Sequence, residues 1–340
     1  MRLSTRTSMP LARALYASVA IAALCGGTAR AETLTLYSAQ HPQMVSQLTD
    51  AFTKQTGIKV RIRAGEAPEI ASQIVQEGGA SPADVYFTEN SPELVLLDEK
   101  GLLAPVDKST LADVPARFSA ETGDWVGVLV RENVLAFNPS MITADKLPPS
   151  LLDLARPEWR GRVAIAPADA DFLPLVEAVV KLKDRATALD WLKALKANAQ
   201  VFDDDEGVVA AVERGAVATG IVNNYYWARM HQEKGAATKS EIHHFGGGDV
   251  GGLLNVSGAA VLKSSKHEAT AQKFLAFLVS KPTQTELAAG NVDFEYPLAK
   301  GVKANPLLKP FDQLDPPDIS VKNLGDDQDA AKLLREAGLL

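Results

Sequence analysis

The 340-residue chain contains one cysteine, 6% aromatic residues and an excess of acid over base. Its single thiol, Cys25, lies in an N-terminal stretch with the features of an export signal. Removal of that stretch leaves a mature chain with no disulfide and no thiolate ligand, which excludes zinc–thiolate, iron–sulfur and cysteine-nucleophile chemistry. After the N-terminus no apolar run approaches the roughly 20 residues that a membrane-spanning helix requires. No HExxH, P-loop or G-x-S-x-G pattern occurs, nor any repeat of solenoid period or low-complexity tract. Residues 246–251 fit G-x-G-x-x-G, but a strand-like run follows where a dinucleotide fold needs a helix. The paired histidines His243 and His244 read as an exposed polar loop.

The N-terminal stretch has Arg2, Arg6 and Arg13 before an apolar run at 15–24 and an A-x-A site at Ala29-Arg30-Ala31. Residues 1–31 are therefore expected to be a signal peptide cleaved after Ala31. Leu24 before Cys25, where a small residue is usual, argues against lipid attachment. Formal net charge is −7, and without the four signal arginines it is −11, from 31 basic and 42 acidic residues. That balance disfavours nucleic acid and anionic membrane as partners and suits a cationic ligand.

The mature sequence alternates strand and helix patterns. Strands are expected at 34–39, 60–63, 84–87, 162–166, 216–222 and 253–262, and helices at 42–56, 69–76, 92–100, 173–182, 186–197, 226–234, 269–279 and 330–337. Residues 125–138 have the length of a strand running between two lobes. This is the pattern of an α/β protein with two lobes, mixed and mostly parallel sheets, and more than one crossover.

Ligands of open α/β sheets bind beyond the carboxyl ends of strands. Four such junctions carry chemistry: His41 after 34–39, Glu89-Asn90 after 84–87, Asp169 and Asp171 after 162–166, and Asn223 with Tyr225-Tyr226 after 216–222. Two phenolates, a carboxylate and an imidazole make a hard, oxygen-rich site suited to a trivalent ion. Each residue also has an ordinary structural reading. His41 and Glu89 sit where helices begin, the tyrosines would fill a core, and Asp169, Asp171 and 203–205 would cap helices.

The segments TLYSAQHPQMVSQLTDAFTKQT (35–56), PADVYFTEN (82–90), IVNNYYW (221–227) and SGAAVLK (257–263) resemble the periplasmic ferric-ion-binding proteins of ABC-type iron uptake. The resemblance spans essentially the whole mature chain. It implies the type II periplasmic-binding-protein fold, with one lobe from 32–131 plus 257–306 and the other from 132–256 plus 307–340. It also implies Fe(III) as the transported ligand, held by His41, Glu89, Tyr225 and Tyr226. The implied partner is an inner-membrane permease with its ATPase, and the implied state is a periplasmic monomer without catalytic activity.

Where that family often places a Ser- and Gly-rich anion loop, this chain has Asp169-Ala170-Asp171. Asp205 stands near a family asparagine, Arg131 is kept, and the basic position two residues on is Asn133. Gained acids and a lost base should repel a synergistic anion, so a carboxylate of Asp169 or Asp171, or water, is expected in its place. Asn90 and Asn223 flank the same region. Two other functions fit the residues: a binding protein for an organic cation such as a polyamine, or a cleft enzyme using Glu89, His41 and a tyrosine as acid and base.

Overall fold

The computed structural model describes residues 33–320, 324–325 and 327–340, so the expected signal peptide and Cys25 lie outside it. The first strand, β1 (Thr33–Ala39), leads into α1 (Pro42–Thr56). Pro42 opens that helix, where its missing N–H costs nothing, and Gly57 ends it at φ 76°, a left-handed value. Met44, Val45, Leu48 and Phe52 form its buried stripe. There follow β2 (Lys59–Ala64), α2 (Ala67–Glu77), β3 (Val85–Thr88), α3 (Pro92–Glu99), β4 (Leu103–Ala104) and α4 (Lys108–Ala112).

The long strand β5 (Val126–Phe137) is buried at all twelve positions. After it come β6 (Val163–Ile165), α5 (Phe172–Leu182), α6 (Arg185–Asn198), β7 (Ala199–Val201), α7 (Asp205–Glu213), β8 (Thr219–Asn223), α8 (Asn224–Lys234) and β9 (Glu241–His243). The chain closes with β10 (Leu254–Leu262), α9 (Glu268–Leu278), α10 (Lys281–Ala289), β11 (Tyr296–Pro297) and α11 (Gln328–Ala337). No helix among the described residues is long and apolar enough to cross a membrane.

The strands run in the order β2–β1–β3–β10–β5–β8–β6–β7. Pairing is parallel within β2–β1–β3 and within β8–β6–β7. It is antiparallel around β10 and β5, giving a mixed sheet. Strand β5 belongs to both halves: Val126–Glu132 pair with β10 and Asn133–Phe137 pair with β8. Two large apolar cores follow this division. One gathers Leu36, Phe52, Trp125, Val130 and Phe274, and the other Leu135, Ile165, Leu175, Trp191 and Leu334. With α/β architecture on each side of two chain crossings, this is the type II periplasmic-binding-protein fold.

Several expected boundaries move. Strand β8 begins at Thr219 rather than 216, because residues 216–218 are still turning out of α7. Helix α8 begins at Asn224 rather than 226, so both tyrosines lie in its first turn. Helices α7 and α10 were not anticipated from the pattern. Gly207 and five valines or alanines in succession obscure α7, which Asp204 caps by accepting the Gly207 N–H. Ser280 caps α10 in the same way through Thr283 N–H. His243 and His244 are half-buried rather than an exposed loop: His243 ends β9, and His244 Nδ1 lies 2.7 Å from buried Glu132.

Candidate functional site

Four strand ends converge, and each is followed by a polar side chain at the start of the next segment. His41 is the residue before α1, and its own N–H donates to Gln40 Oε1 at 2.7 Å. Gln40 is fixed in turn by donating to Ser257 Oγ on β10. Glu89 follows β3, tied to the end of β1 by its N–H to Ala39 O. These two anchors set His41 Nε2 3.2 Å from Glu89 Oε2. From the other half, α8 brings Tyr225 and Tyr226, whose ring centroids lie 4.1 Å apart at 31°. The Tyr225 ring meets the His41 ring edge-on at 4.9 Å.

Asn224 explains why the tyrosines are held in this place. Its Oδ1 accepts the Glu132 N–H at 2.7 Å and its Nδ2 donates to Phe294 O at 3.0 Å. The first turn of α8 is thereby attached both to the crossing strand and to the segment returning to the first half. Arg229, one turn further along α8, lays its guanidinium over Tyr225 at 5.3 Å from the ring centre.

Arg131, fully buried on β5, is the centre of a second network. Its Nη2 is 2.8 Å from Asp171 Oδ1, and it also donates to Glu89 O, Asn90 Oδ1 and Ser257 Oγ. Asp171 sits immediately before α5, accepts the Tyr225 hydroxyl at 3.0 Å and receives Asn90 Nδ2 at 3.4 Å. One carboxylate therefore touches Arg131, Asn90 and Tyr225 together. Asp169 and Asp205 are otherwise engaged. Asp169 accepts the N–H groups of Asp171 and Asp205, and Asp205 accepts the N–H of Asn223. These two acids tie the β6, α7 and β8 ends into one rim, while Asp171 faces the tyrosines. Asn223 is buried with neither side-chain atom paired.

The electrostatics follow from burial and from this arrangement. Burial works against a charged His41, but the hydrogen bond to Glu89 and the fields of Asp293 and Glu295 outweigh it and lift its pKa to about 9. Burial raises the Tyr225 hydroxyl well above its usual value, reinforced by the charge of Asp171, and the same two causes raise Tyr226. Burial would raise Asp171 as well, but Arg131 holds it below the ordinary carboxylate range. Burial and Asp171 push Asp169 up to about 6. In this form the site is an imidazolium against carboxylates, with two phenols that retain their protons.

Asp293 and Glu295 escaped the sequence reading. They lie in the segment before β11, 4% and 3% exposed, with their oxygens close to the His41 ring. Their i, i+2 spacing around buried Phe294 would have put both acids on one side of an extended chain, but no strand-to-helix junction marks them.

The sequence pattern described as bacterial extracellular solute-binding protein matches residues 47–313. The Fe(3+)-binding periplasmic protein of Serratia marcescens is 40% identical, over 96% of this chain and 97% of its own. The major ferric iron-binding protein of Neisseria gonorrhoeae is 36% identical over 95% and 98% of the two chains. Among solved structures, iron-bound HitA from Pseudomonas aeruginosa is 45% identical with a TM-score of 0.86, covering 90% of this chain and 99% of that one.

Proposed function

The chain belongs to the bacterial extracellular solute-binding protein family, and we propose that it captures Fe(III) in the periplasm through His41, Glu89, Tyr225 and Tyr226 and delivers it to an inner-membrane ABC permease with its ATPase. Support comes first from the convergence of these four side chains, from both halves of the molecule, at one cleft. The relatives named for ferric iron supply the second line of support. The donor set suits the ion: phenolate and carboxylate oxygens are hard ligands for a hard cation. Raised tyrosine pKa values add discrimination. Displacing two reluctant phenol protons demands a strong Lewis acid, which a trivalent ion supplies better than a divalent one.

The lobe division at 131/132 and near 256 and 306 belongs to the same reading; the two separate cores and the switch of partners within β5 support the first two boundaries, while Leu308 and Phe311, beyond the third, pack with the first core. So do signal cleavage after Ala31, a monomeric state and the absence of catalysis. We read Asp171 as the internal replacement for a synergistic anion. It already neutralises Arg131, the buried base of the site, and it reaches Tyr225.

Colour tests the proposal. Ferric phenolate absorbs visible light, so the protein should turn red to purple on adding iron, without phosphate or carbonate. Replacing both tyrosines, Tyr225→Phe with Tyr226→Phe, should abolish the band. A colourless wild-type complex would sink the assignment of the ligands, and colour that required added anion would sink the role of Asp171.

A further inference from the structure

His41 has two ring nitrogens, and only one of them meets Glu89. Nε2 meets Glu89, while Nδ1 is buried with no hydrogen-bond partner. Close to the ring stand Asp293 and Glu295, whose oxygens lie with a His41 nitrogen inside a cluster spanning at most 4.8 Å. Both Asp293 oxygens and Glu295 Oε1 are likewise buried and unpartnered. Their segment is well fixed: Phe294 is 1% exposed, its carbonyl accepts Asn224 Nδ2, and Glu295 Oε2 accepts Ser257 Oγ at 2.7 Å. Two buried carboxyl groups thus stand close to the imidazole with unused acceptor capacity.

We infer that Asp293 and Glu295 are positioning residues for metal capture, holding the Nδ1–H of His41 so that the bare lone pair of Nε2 is presented to the ion. A neutral imidazole carries one proton, and a ligating nitrogen must be the one without it. An Nδ1–H buried without an acceptor is penalised, and that penalty would favour the wrong tautomer. A small swing of the ring, or one bridging water, brings Nδ1–H to the acid pair and removes the penalty. A carboxylate behind a ligating histidine also makes the ring a stronger donor. The inference rests on the proposed role of His41 as a ligand.

The test uses Asp293→Asn, Glu295→Gln and the double variant. Ferric affinity is measured by competition with citrate, and the tautomer by 15N-histidine NMR of the protein loaded with diamagnetic gallium(III). The double variant should bind iron roughly 10- to 100-fold more weakly while keeping its phenolate band. The wild type should show a protonated Nδ1 and a metal-bound Nε2, and the Nδ1–H signal should shift or vanish in the double variant. Asp293→Asn alone keeps the Glu295 carboxyl group beside the ring and should keep most of the affinity. Wild-type affinity with an unchanged Nδ1 signal in the double variant overturns the inference. So does stoichiometric zinc binding by Tyr225→Phe/Tyr226→Phe that is lost with the two acids, because the trio would then be a cation site in its own right. A wild type without a phenolate band would instead defeat the underlying ferric assignment.

Discussion

At the scale of single residues, burial decides which acids are at ease. Glu93, in the first turn of α3, has a buried Oε2 with no partner. Burial, aided by the nearby charge of Glu89, raises its pKa from 4.5 to about 7. A carboxyl raised on folding binds its proton more tightly in the native state than in the unfolded one. Its penalty on stability therefore grows as pH rises from 4.5 through 7 and is complete by pH 8. Glu93→Gln should stabilise the protein at pH 8 by on the order of 2 kcal/mol and by little at pH 4, as read by urea denaturation at the two values. Arg131 and Asp171 illustrate the opposite case, a buried pair in which each ion is the other's main compensation. His41, Glu89, Tyr225 and Tyr226 were legible in the sequence because each follows a strand, where an open sheet places its ligands. Asp293 and Glu295 were not, because their importance comes from a return of the chain that brings position 293 against position 41. The ranking of Asp171 over Asp169 was equally hidden. Sequence puts both acids in one loop, and only the backbone N–H groups that Asp169 accepts remove it from contention.

At the scale of elements, close backbone approaches set the limits of substitution. Gly127 on β5 lies against the turn at Ala116–Phe118, and a β-carbon there would overlap the Phe118 carbonyl oxygen. Gly127→Ala should destabilise the protein by about 1–3 kcal/mol, visible as a lower urea midpoint with an unchanged slope. The cause is backbone against backbone, which no rotamer change relieves. Helix α1 was legible to its last residue, since Pro42 and Gly57 bracket a clear apolar stripe. Strand β2 was found for a misleading reason. Its Lys-Val-Arg-Ile-Arg alternation suggests one buried face, yet Ile62 is 42% exposed, because the strand is an edge paired only with β1. Basic residues along such an edge discourage pairing with another chain. Helix α7 was missed because its valines read as strand formers, and packing against β8 overrode that preference.

At the scale of the whole molecule, the proposed ferric site draws ligands from both halves, so only the folded and closed protein can supply all four. Iron should then stabilise by mass action, by about 4 kcal/mol when free iron stands at 1,000 times its dissociation constant. Calorimetric melting should show a transition rising with iron, and the Tyr225→Phe/Tyr226→Phe variant should lose that rise. Two-lobed architecture was legible from the repeated strand–helix series, but the sharing of one strand between both sheets was not, since hydrogen-bond partners leave no mark on composition. That sharing has a mechanical consequence. Because β5 changes partners between Glu132 and Asn133, any twist of one half against the other concentrates on one or two peptide units there and on the return near Leu253. The change of partners falls within two residues of Arg131, so the strand that joins the two halves also carries the buried base of the proposed site.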